Sequence, residues 1–537
     1  MKILGLSLNS HDSSVCLIKN GRINTFFLSE RFTKVKHDSY IPNELVSRIT
    51  HRHKIDAVTY AGLSHFNFYS HYSLFFDNEN VPPAYCYTDK HHLSHASISF
   101  YRSGFENALC FVIDGFGSEV NDNLSECESI YFFDSKGSEE LIYKNITIGD
   151  DFDIEHSFTS DNDEFYNLND NTEYKNLFGI GQIYESTANL IRCDSIECGK
   201  PMGLSSYGKY DKDYYGLYKK ENTLNNNYFK KDKVYNLFKN KTGNITSDNY
   251  QCFADYCNAI QKQTQRAVGD LIEKYTKKVK TNNICLSGGY AMNVVANYYL
   301  LKRFPNLNFY FEPMCGDGGI SIGSAMNLYS KLRKTYHPKI KKNNTIFFHG
   351  VKYDLSSYKK NKKTTLKDVA ELLYNNNSVA VFNGYAEAGQ RALGNRSILY
   401  NALDINAKDV VNEIKKREWY RPFGAMVLEE DAYKYFNMSL MASNPFMTVA
   451  FPVITNIIPG ITHVDGTCRI QTVSKKQKQI YNLLNEFKKI SGHGILLNTS
   501  LNLAGDPLAE TPLDAFEILN KSPLDYLYFP EIYSLYK

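Results

Sequence analysis

No two of the eleven cysteines form a C-x-x-C pair; the closest neighbours are Cys193 with Cys198 and Cys252 with Cys257. That spacing excludes a zinc ribbon and a disulfide framework and fits a reducing cytoplasm. The N-terminal MKILGLSLNSHDSS has an apolar run far too short for a signal peptide. The longest apolar stretch, Met447 to Ile461, is broken by Pro452, Asn456 and Pro459, so no membrane span is expected. Charge of one sign is scarce as well. With 61 basic and 58 acidic residues the net charge is +3, which excludes a surface built throughout for nucleic acid. Glycine and proline number 32 and 15, too few for extended disorder in a chain that is 43% hydrophobic. At 537 residues the chain exceeds what one core serves, and at least two domains are expected.

What is present begins with an internal echo. Lys2–Leu8 reads as a strand, followed by the loop Asn9-Ser10-His11-Asp12, a strand Val15–Lys19, an Asn20-Gly21 turn and a strand Ile23–Leu28. Asn-Gly between apolar runs is a strong hairpin signal. The unit returns as strand Leu109–Ile113, loop Asp114-Gly115-Phe116-Gly117, strand Ser129–Phe133, a Lys136-Gly137 turn and strand Glu140–Tyr143. Two such copies, each with a polar loop after the first strand, are the layout of duplicated ATPase folds.

Helical periodicity then runs from Tyr256 to Tyr275. A buried strand Ile284–Leu286, the turn Ser287-Gly288-Gly289 and a helix Ala291–Leu301 form a strand–glycine–helix arrangement suited to facing phosphate. A helix Gly319–Leu332 starts behind the loop Cys315–Gly319. Between Ser330 and Asn344 the chain turns basic and polar, marking the boundary to a second α/β domain.

His91 and His95 lie four apart in HHLSHA, on one face of a predicted helix that reaches Tyr101. With Asp114 and Asp317 at strand ends they make a two-His, two-Asp set, which suits Fe²⁺ or Mn²⁺ better than a closed zinc site. His11, in the first strand-end loop, can take a proton from an alcohol near neutral pH or serve with Asp12 as a loop cap. In the second domain GQRALGNRS, Lys415, Lys416, Arg417, Arg421, the DGTCR arginine Arg469 and LNTSLN put basic groups beside glycine turns, as a phosphate pocket requires.

HDSS, ERFTKVKH, HHLSHA, VIDGFG, GKPMGLSSYG, LSGGYAMN, CGDGG, GQRALGNRS, RPF, DGTCRIQTV and LNTSLNLAGDP occur in that order from residue 11 to 507. The ordered set resembles the O-carbamoyltransferase family, which includes the nodulation-factor and antibiotic carbamoyltransferases. The resemblance implies an α/β protein with a duplicated actin/Hsp70-like (ASKHA-type) ATPase domain over residues 1–335. A smaller YrdC-like α/β domain follows over 345–537. It implies that the C-terminal domain makes carbamoyladenylate from carbamoyl phosphate and ATP with Mg²⁺. The N-terminal domain, holding Fe²⁺ (or Mn²⁺), then passes the carbamoyl group to an acceptor hydroxyl. By motif, His91, His95, Asp114 and Asp317 are the implied metal ligands, His11 the base and Lys36 a contact to the adenylate. Arg391, Lys416, Arg421, Arg469, Asn498 and Ser500 are implied contacts to carbamoyl phosphate and ATP. Gly199, Lys200, Gly203, Gly288, Gly289 and Asn293 resemble nucleotide-facing loops. The chain departs from the pattern at Gln390, where proline is usual, and at Asn9, a position often acidic.

The partner expected is a small-molecule hydroxyl acceptor such as a sugar or antibiotic, with no membrane, and a homodimer as one option for assembly. An alternative acceptor is a hydroxymethylated nucleotide or DNA base. It is suggested by seven lysines over residues 219–241, interleaved with Tyr228, Phe229, Tyr235 and Phe238. An ASKHA-type kinase is the rival class, and HHLSHA with the arginine-rich second domain speaks against it.

Overall fold

Asn20 and Gly21 both take left-handed φ, 51° and 75°, which reverses the chain between the strands Ser14–Lys19 and Arg22–Leu28 with the twist a hairpin needs. That hairpin opens a five-stranded sheet ordered Arg22–Leu28, Ser14–Lys19, Lys2–Ser7, Ala57–Ala61, Ala84–Cys86. Lys2–Ser7 runs antiparallel to Ser14–Lys19 and parallel to Ala57–Ala61, which is parallel to Ala84–Cys86. The second sheet repeats this scheme. Its central order is Glu139–Ile148, Leu124–Asp134, Asn107–Ile113, Asn283–Ser287, Asn308–Phe311. The first two pairings are antiparallel and the last two parallel. Two sheets with one strand order and one pattern of direction are the duplicated ATPase-type fold that the sequence echo predicts.

The computed structural model describes all residues except 9–10, 63–75, 77–80, 122–123, 149–166, 169–171, 174–177, 192, 194–195, 220–223, 226, 240–244, 246–248 and 334–348. Asn9 and most of the basic boundary segment therefore lie outside the described residues, as do Lys220 and Lys241. No helix among the described residues is long and apolar enough to cross a membrane.

The chain forms two compact units. One is Met1–Asn24 with Ser39–Asn343; the other is Thr25–Asp38 with Asn344–Lys537. Residues 25–38, which the sequence division counts with the N-terminal domain, thus pack as part of the C-terminal unit.

In the first unit the helix His91–Ser103 is buried along its whole length, packed on Asn107–Ile113 and on the helix Ile320–Arg333. Gly323 makes that crossing close: a Cβ there would meet the Ser94 carbonyl oxygen at 1.9 Å. The predicted helix from Ala291 is instead a 3₁₀ turn, Gly289–Met292, followed by an α-helix Val294–Arg303. The reason is Asn293, whose side chain accepts the Ala296 amide (3.0 Å) and starts the helix there.

The second unit is built on an eight-stranded mixed sheet. Its order is Ala450–Pro452, Thr467–Val473, Gly424–Leu428, Ile495–Ser500, Arg396–Asn401, Val379–Phe382, Tyr526–Phe529, Ser534–Tyr536. Strand alternation divides its core. Val379, Val381 and Leu399 pack with Val369, Leu373, Leu484 and Phe487, whereas Ala380, Phe382 and Ile398 pack with Ile414, Ala515 and Ile518.

Candidate functional site

The first cluster is set by the helix His91–Ser103 and two loop residues. Spacing of four puts His91 and His95 on one helical face, with Nε2 atoms 3.1 Å apart. Asp114 directly follows the strand Asn107–Ile113, and Asp317 opens the 3₁₀ turn before Ile320–Arg333. Asp114 Oδ2 lies 3.4 Å from His91 Nε2 and 3.1 Å from His95 Nε2; Asp317 Oδ1 lies 3.5 Å from each. One ligand atom from each residue falls within 4.8 Å of all the others, and all four residues are buried.

This donor set fits a divalent cation. Ligands at about 2.1 Å from an ion stand roughly 3.0–3.4 Å apart, close to the spacing observed. Two imidazole nitrogens facing each other and two carboxylates need positive charge between them. Without it the rings must supply the charge: against burial, Asp317 and Asp114 raise His91 to about 10. Despite their own burial, the two carboxyls are held well below the usual range by the histidines. His92, next in the chain, points elsewhere. Its Nδ1 meets Ser129 Oγ at 2.7 Å, and burial lowers it to about 4, a neutral ring outside the set.

The remaining hydrogen bonds aim the ligands. Gly289 donates its amide to Asp114 Oδ1 (2.9 Å) and Gly115 donates to the same oxygen (3.1 Å). Ser118 Oγ accepts the His91 amide (2.9 Å). Gly288 must be glycine: φ is +83° and a Cβ would meet the Ile113 carbonyl oxygen at 2.4 Å. The amide of Gly289 thus serves the metal-type cluster, and Asn293, besides capping its helix, donates to Gln261 Oε1 (2.9 Å). Gly199, Lys200 and Gly203 lie in the short helix Gly199–Ser205, where Lys200 pairs with Glu197.

His11 joins the cluster. Its Nδ1 is 3.1 Å from Asp12 Oδ2 and its Nε2 is 3.8 Å from Asp317 Oδ2. Burial opposes its charge, but Asp317 and Asp12 outweigh it and raise His11 to about 10. Sequence reasoning missed Glu185, on the helix Ile180–Leu190. Its carboxylate abuts Gly115, where a Cβ would meet Oε1 at 2.1 Å; burial and Asp114 push the carboxyl up to about 7. A carboxyl poised near neutrality beside a histidine can hold or release a proton. No motif marks it, and only Gly115 in the DGFG loop hints that something must fit there.

These shifts give chelator-treated protein a distinctive pH dependence. A histidine whose folded pKa exceeds its unfolded value near 6.5 stabilises the fold below that value and loses the contribution as pH climbs to the folded pKa. His11 and His91, both raised to about 10, are expected to make the melting temperature fall from pH 7 to pH 10. Bound Mn²⁺ flattens the fall. Scanning calorimetry with and without the ion checks it; identical slopes would disprove the coupling.

In the second unit, Asn498 and Arg469 both pair in register with Gly424, one on each flanking strand, so the three share a row and a face of the sheet. Ser500 follows two residues beyond Asn498 on the same face. Gly424 leaves space for its neighbour: a Cβ there would sit 3.4 Å from Arg469 Nε and 2.9 Å from the Arg469 carbonyl oxygen. Asn498 Nδ2 donates to the Ala392 carbonyl (2.9 Å) and to Gln471 Oε1 (3.2 Å), tying strand to GQRALGNRS loop. Arg469 Nε and Asn498 Oδ1 are buried without a hydrogen-bond partner among the described residues.

Positive charge accumulates around this row. Burial first, then Arg391 and Arg421, lower Arg469; burial, then Arg421 and Arg469, lower Arg417. Burial, then Arg417, Arg421 and Lys36, lower Lys415 well below the usual lysine range. Lys36 therefore stands with the second unit's basic group. The buried lysine is Lys415, whose Nζ donates to the Ser500 carbonyl (2.6 Å) and to Asn502 Oδ1 (2.7 Å). Lys416 is exposed and left-handed (φ 52°), because the helix Ala407–Lys415 ends between the two lysines.

The basic, aromatic stretch after residue 219 is less of a stacking surface than its composition suggests. Tyr228 and Phe229 are fully buried. Lys231 donates to the Tyr215 carbonyl (2.5 Å) and Lys233 pairs with Asp211.

Fold and clusters describe a two-unit α/β protein with a chemically distinct candidate site in each unit. Residues 78–326 match the family model described as Carbamoyltransferase N-terminus, and residues 370–535 match Carbamoyltransferase C-terminus. The chain belongs to the carbamoyltransferase family, as the motif resemblance implies. It is 25% identical to Nodulation protein NolNO of Sinorhizobium fredii, over 96% of this chain and 78% of that protein. With Nodulation protein NolO of Bradyrhizobium diazoefficiens it shares 29% identity, over 81% of this chain and 77% of that one. Among solved structures it is similar to full-length HypF in the phosphate- and nucleotide-bound form. There the TM-score is 0.40 and the identity 17%, covering 62% of this chain and 55% of that chain.

Proposed function

We propose that the second unit uses one water to split carbamoyl phosphate into carbamate and phosphate, and joins the carbamate to the α-phosphate of ATP, releasing pyrophosphate and leaving the carbamoyl group on AMP. The first unit then passes it to a hydroxyl of a small-molecule acceptor, releasing AMP. The observation that carries this reading is the concentration of Arg391, Lys415, Arg417, Arg421 and Arg469: burial, with the neighbouring cations adding to it, lowers Lys415, Arg417 and Arg469. Positive charge gathered in this way suits two phosphorylated substrates at once. Arg469 Nε is an unspent donor for phosphate oxygen, and Asn498 Oδ1 an unspent acceptor for a carbamoyl N–H.

In the first unit His91, His95, Asp114 and Asp317 would hold Fe²⁺ or Mn²⁺. When bound, the ion supplies Lewis-acid stabilisation of charge on oxygen. His11 and Glu185 hold protons beside it, so that the acceptor hydroxyl can lose one as its oxygen attacks the carbamoyl carbon. A small-molecule acceptor is favoured over DNA because Tyr228 and Phe229 belong to the core.

The test is pyrophosphate–ATP exchange with purified protein. Exchange should require carbamoyl phosphate, and Arg469→Ala should lower it about a hundredfold, the loss of a charge-assisted contact. Phosphorylation of an alcohol by ATP alone, with no need for carbamoyl phosphate, would establish the kinase instead.

A further inference from the structure

The GQRALGNRS loop is held by several bonds, and nearly all come from nearby or C-terminal residues of the second unit. Glu387 Oε1 accepts the amides of Leu393 (2.7 Å), Asn395 (2.8 Å) and Arg396 (3.2 Å). Gln471 donates to the Leu393 carbonyl (2.9 Å), Asn498 to that of Ala392 (2.9 Å), and Gly394 donates to Ser397 Oγ (2.9 Å). The start of the loop is different. The Gly389 carbonyl accepts Arg31 Nη2 at 3.0 Å, and Arg31 comes from the segment 25–38, more than three hundred residues earlier in the chain.

That segment is built in as core. Phe26, Phe27 and Leu28 are buried and Arg31 is 3% exposed. Phe27 packs edge-on against Phe32, with centroids 5.5 Å apart. Lys34 donates to the Arg31 carbonyl (2.8 Å) and pairs with Asp514, the carboxylate that caps the helix Pro512–Lys521. A small cavity walled by Phe27, Arg31, Glu387 and Glu510 brings the segment against the loop's anchor. Glu387 Oε2 is buried with no hydrogen-bond partner among the described residues.

We propose that Arg31 is a positioning residue for the carbamoyl-phosphate half-reaction: through the Gly389 carbonyl it fixes the end of the loop that presents Arg391. The inference rests on the adenylate-forming role given above to the second unit. It makes that half-reaction depend on the N-terminal segment 25–38 as well as on the C-terminal sequence.

The experiment uses the full chain with Arg31→Ala and Arg31→Lys. It reads the KM for carbamoyl phosphate in pyrophosphate–ATP exchange, and hydrogen exchange of the Leu393 and Asn395 amides. Arg31→Ala should raise that KM about tenfold, with a smaller change in kcat and in the KM for ATP, and should lose protection at both amides. Arg31→Lys keeps a donor for Gly389 and should recover most of both. If Arg31→Ala does not fold, Arg31→Lys decides alone: a KM raised by about two- to threefold with partial loss of protection supports the role. Unchanged KM and unchanged protection in the variant that folds would overturn it. Absence of carbamoyl-phosphate-dependent exchange in the unsubstituted protein would overturn the reading beneath it, whereas intact amides in a folded Arg31→Ala would overturn the positioning itself.

Discussion

Asp317→Asn and His95→Ala are each expected to abolish carbamoyl transfer, by at least about a hundredfold, while pyrophosphate–ATP exchange should stay within a few-fold of the unsubstituted protein. The first change keeps the shape of a ligand but removes its charge; the second removes one nitrogen of a pair 3.1 Å apart. Both lie in the first unit, whereas the exchange chemistry is proposed for the basic cluster of the second. Metal analysis should show the ion lost from both variants. Adding Mn²⁺ to chelated, unsubstituted protein at pH 7 should release protons, because His91, raised to about 10, must shed its proton to become a ligand. Calorimetry in buffers of different ionisation enthalpy measures that release. A metal-free Asp317→Asn protein that transferred carbamoyl at the original rate would remove these four residues from the reaction.

Lys415→Ala is the second large effect, and Lys416→Ala is its internal comparison. Lys415 is buried, and its ammonium satisfies the carbonyl oxygens of both Ser500 (2.6 Å) and Asn502 (2.9 Å). Removing it strands those acceptors in a region dense with arginine. The cost is about 3 kcal/mol, taking the stranded acceptors together. For a unit of this size, that lowers the second unit's melting transition by roughly 6–12 °C. Exchange should be lost with it, because the LNTSLN turn carries Ser500 on the same face as Arg469. Lys416→Ala should reduce exchange without moving the transition, since an exposed lysine can meet substrate but anchors nothing. Equal thermal shifts in the two variants would show that burial does not distinguish these neighbours.

The contrast between the two lysines shows where sequence reasoning runs out. HHLSHA announces its own geometry, because residues four apart on a helix must stack. The Asn20-Gly21 hairpin does so too, because those residues favour the left-handed turn. Aspartates at strand ends are legible once the strands are. Lys415 and Lys416 carry the same chemistry one residue apart, and only the end of the helix decides which is inside; Val411 and Ile414, buried just before, are the one local clue. Glu185 has less still, since its meeting with Gly115 is made by tertiary packing alone. The interleaved aromatics after residue 219 misdirect for a related reason: composition does not say which side chains close a core, and Tyr228 and Phe229 do. Hardest to read is ERFTKVKH. Its arginine and lysines fall inside the first domain by sequence, while the partners of Arg31 and Lys34, Gly389 and Asp514, lie hundreds of residues away.

Residues 25–38 also impose an order on synthesis. They leave the ribosome roughly 300 residues before the rest of the unit they complete, which starts again only at Asn344. At about 5–20 residues per second, roughly 300 intervening residues take some 15–60 s to translate. Throughout that time Phe26, Phe27 and Leu28 have no finished core to enter. The apolar strand end and the charged ERFTKVKH that follows it must wait together. The first unit can close around its own two sheets before the second exists, but the second can close only by recovering a piece of chain made long before it.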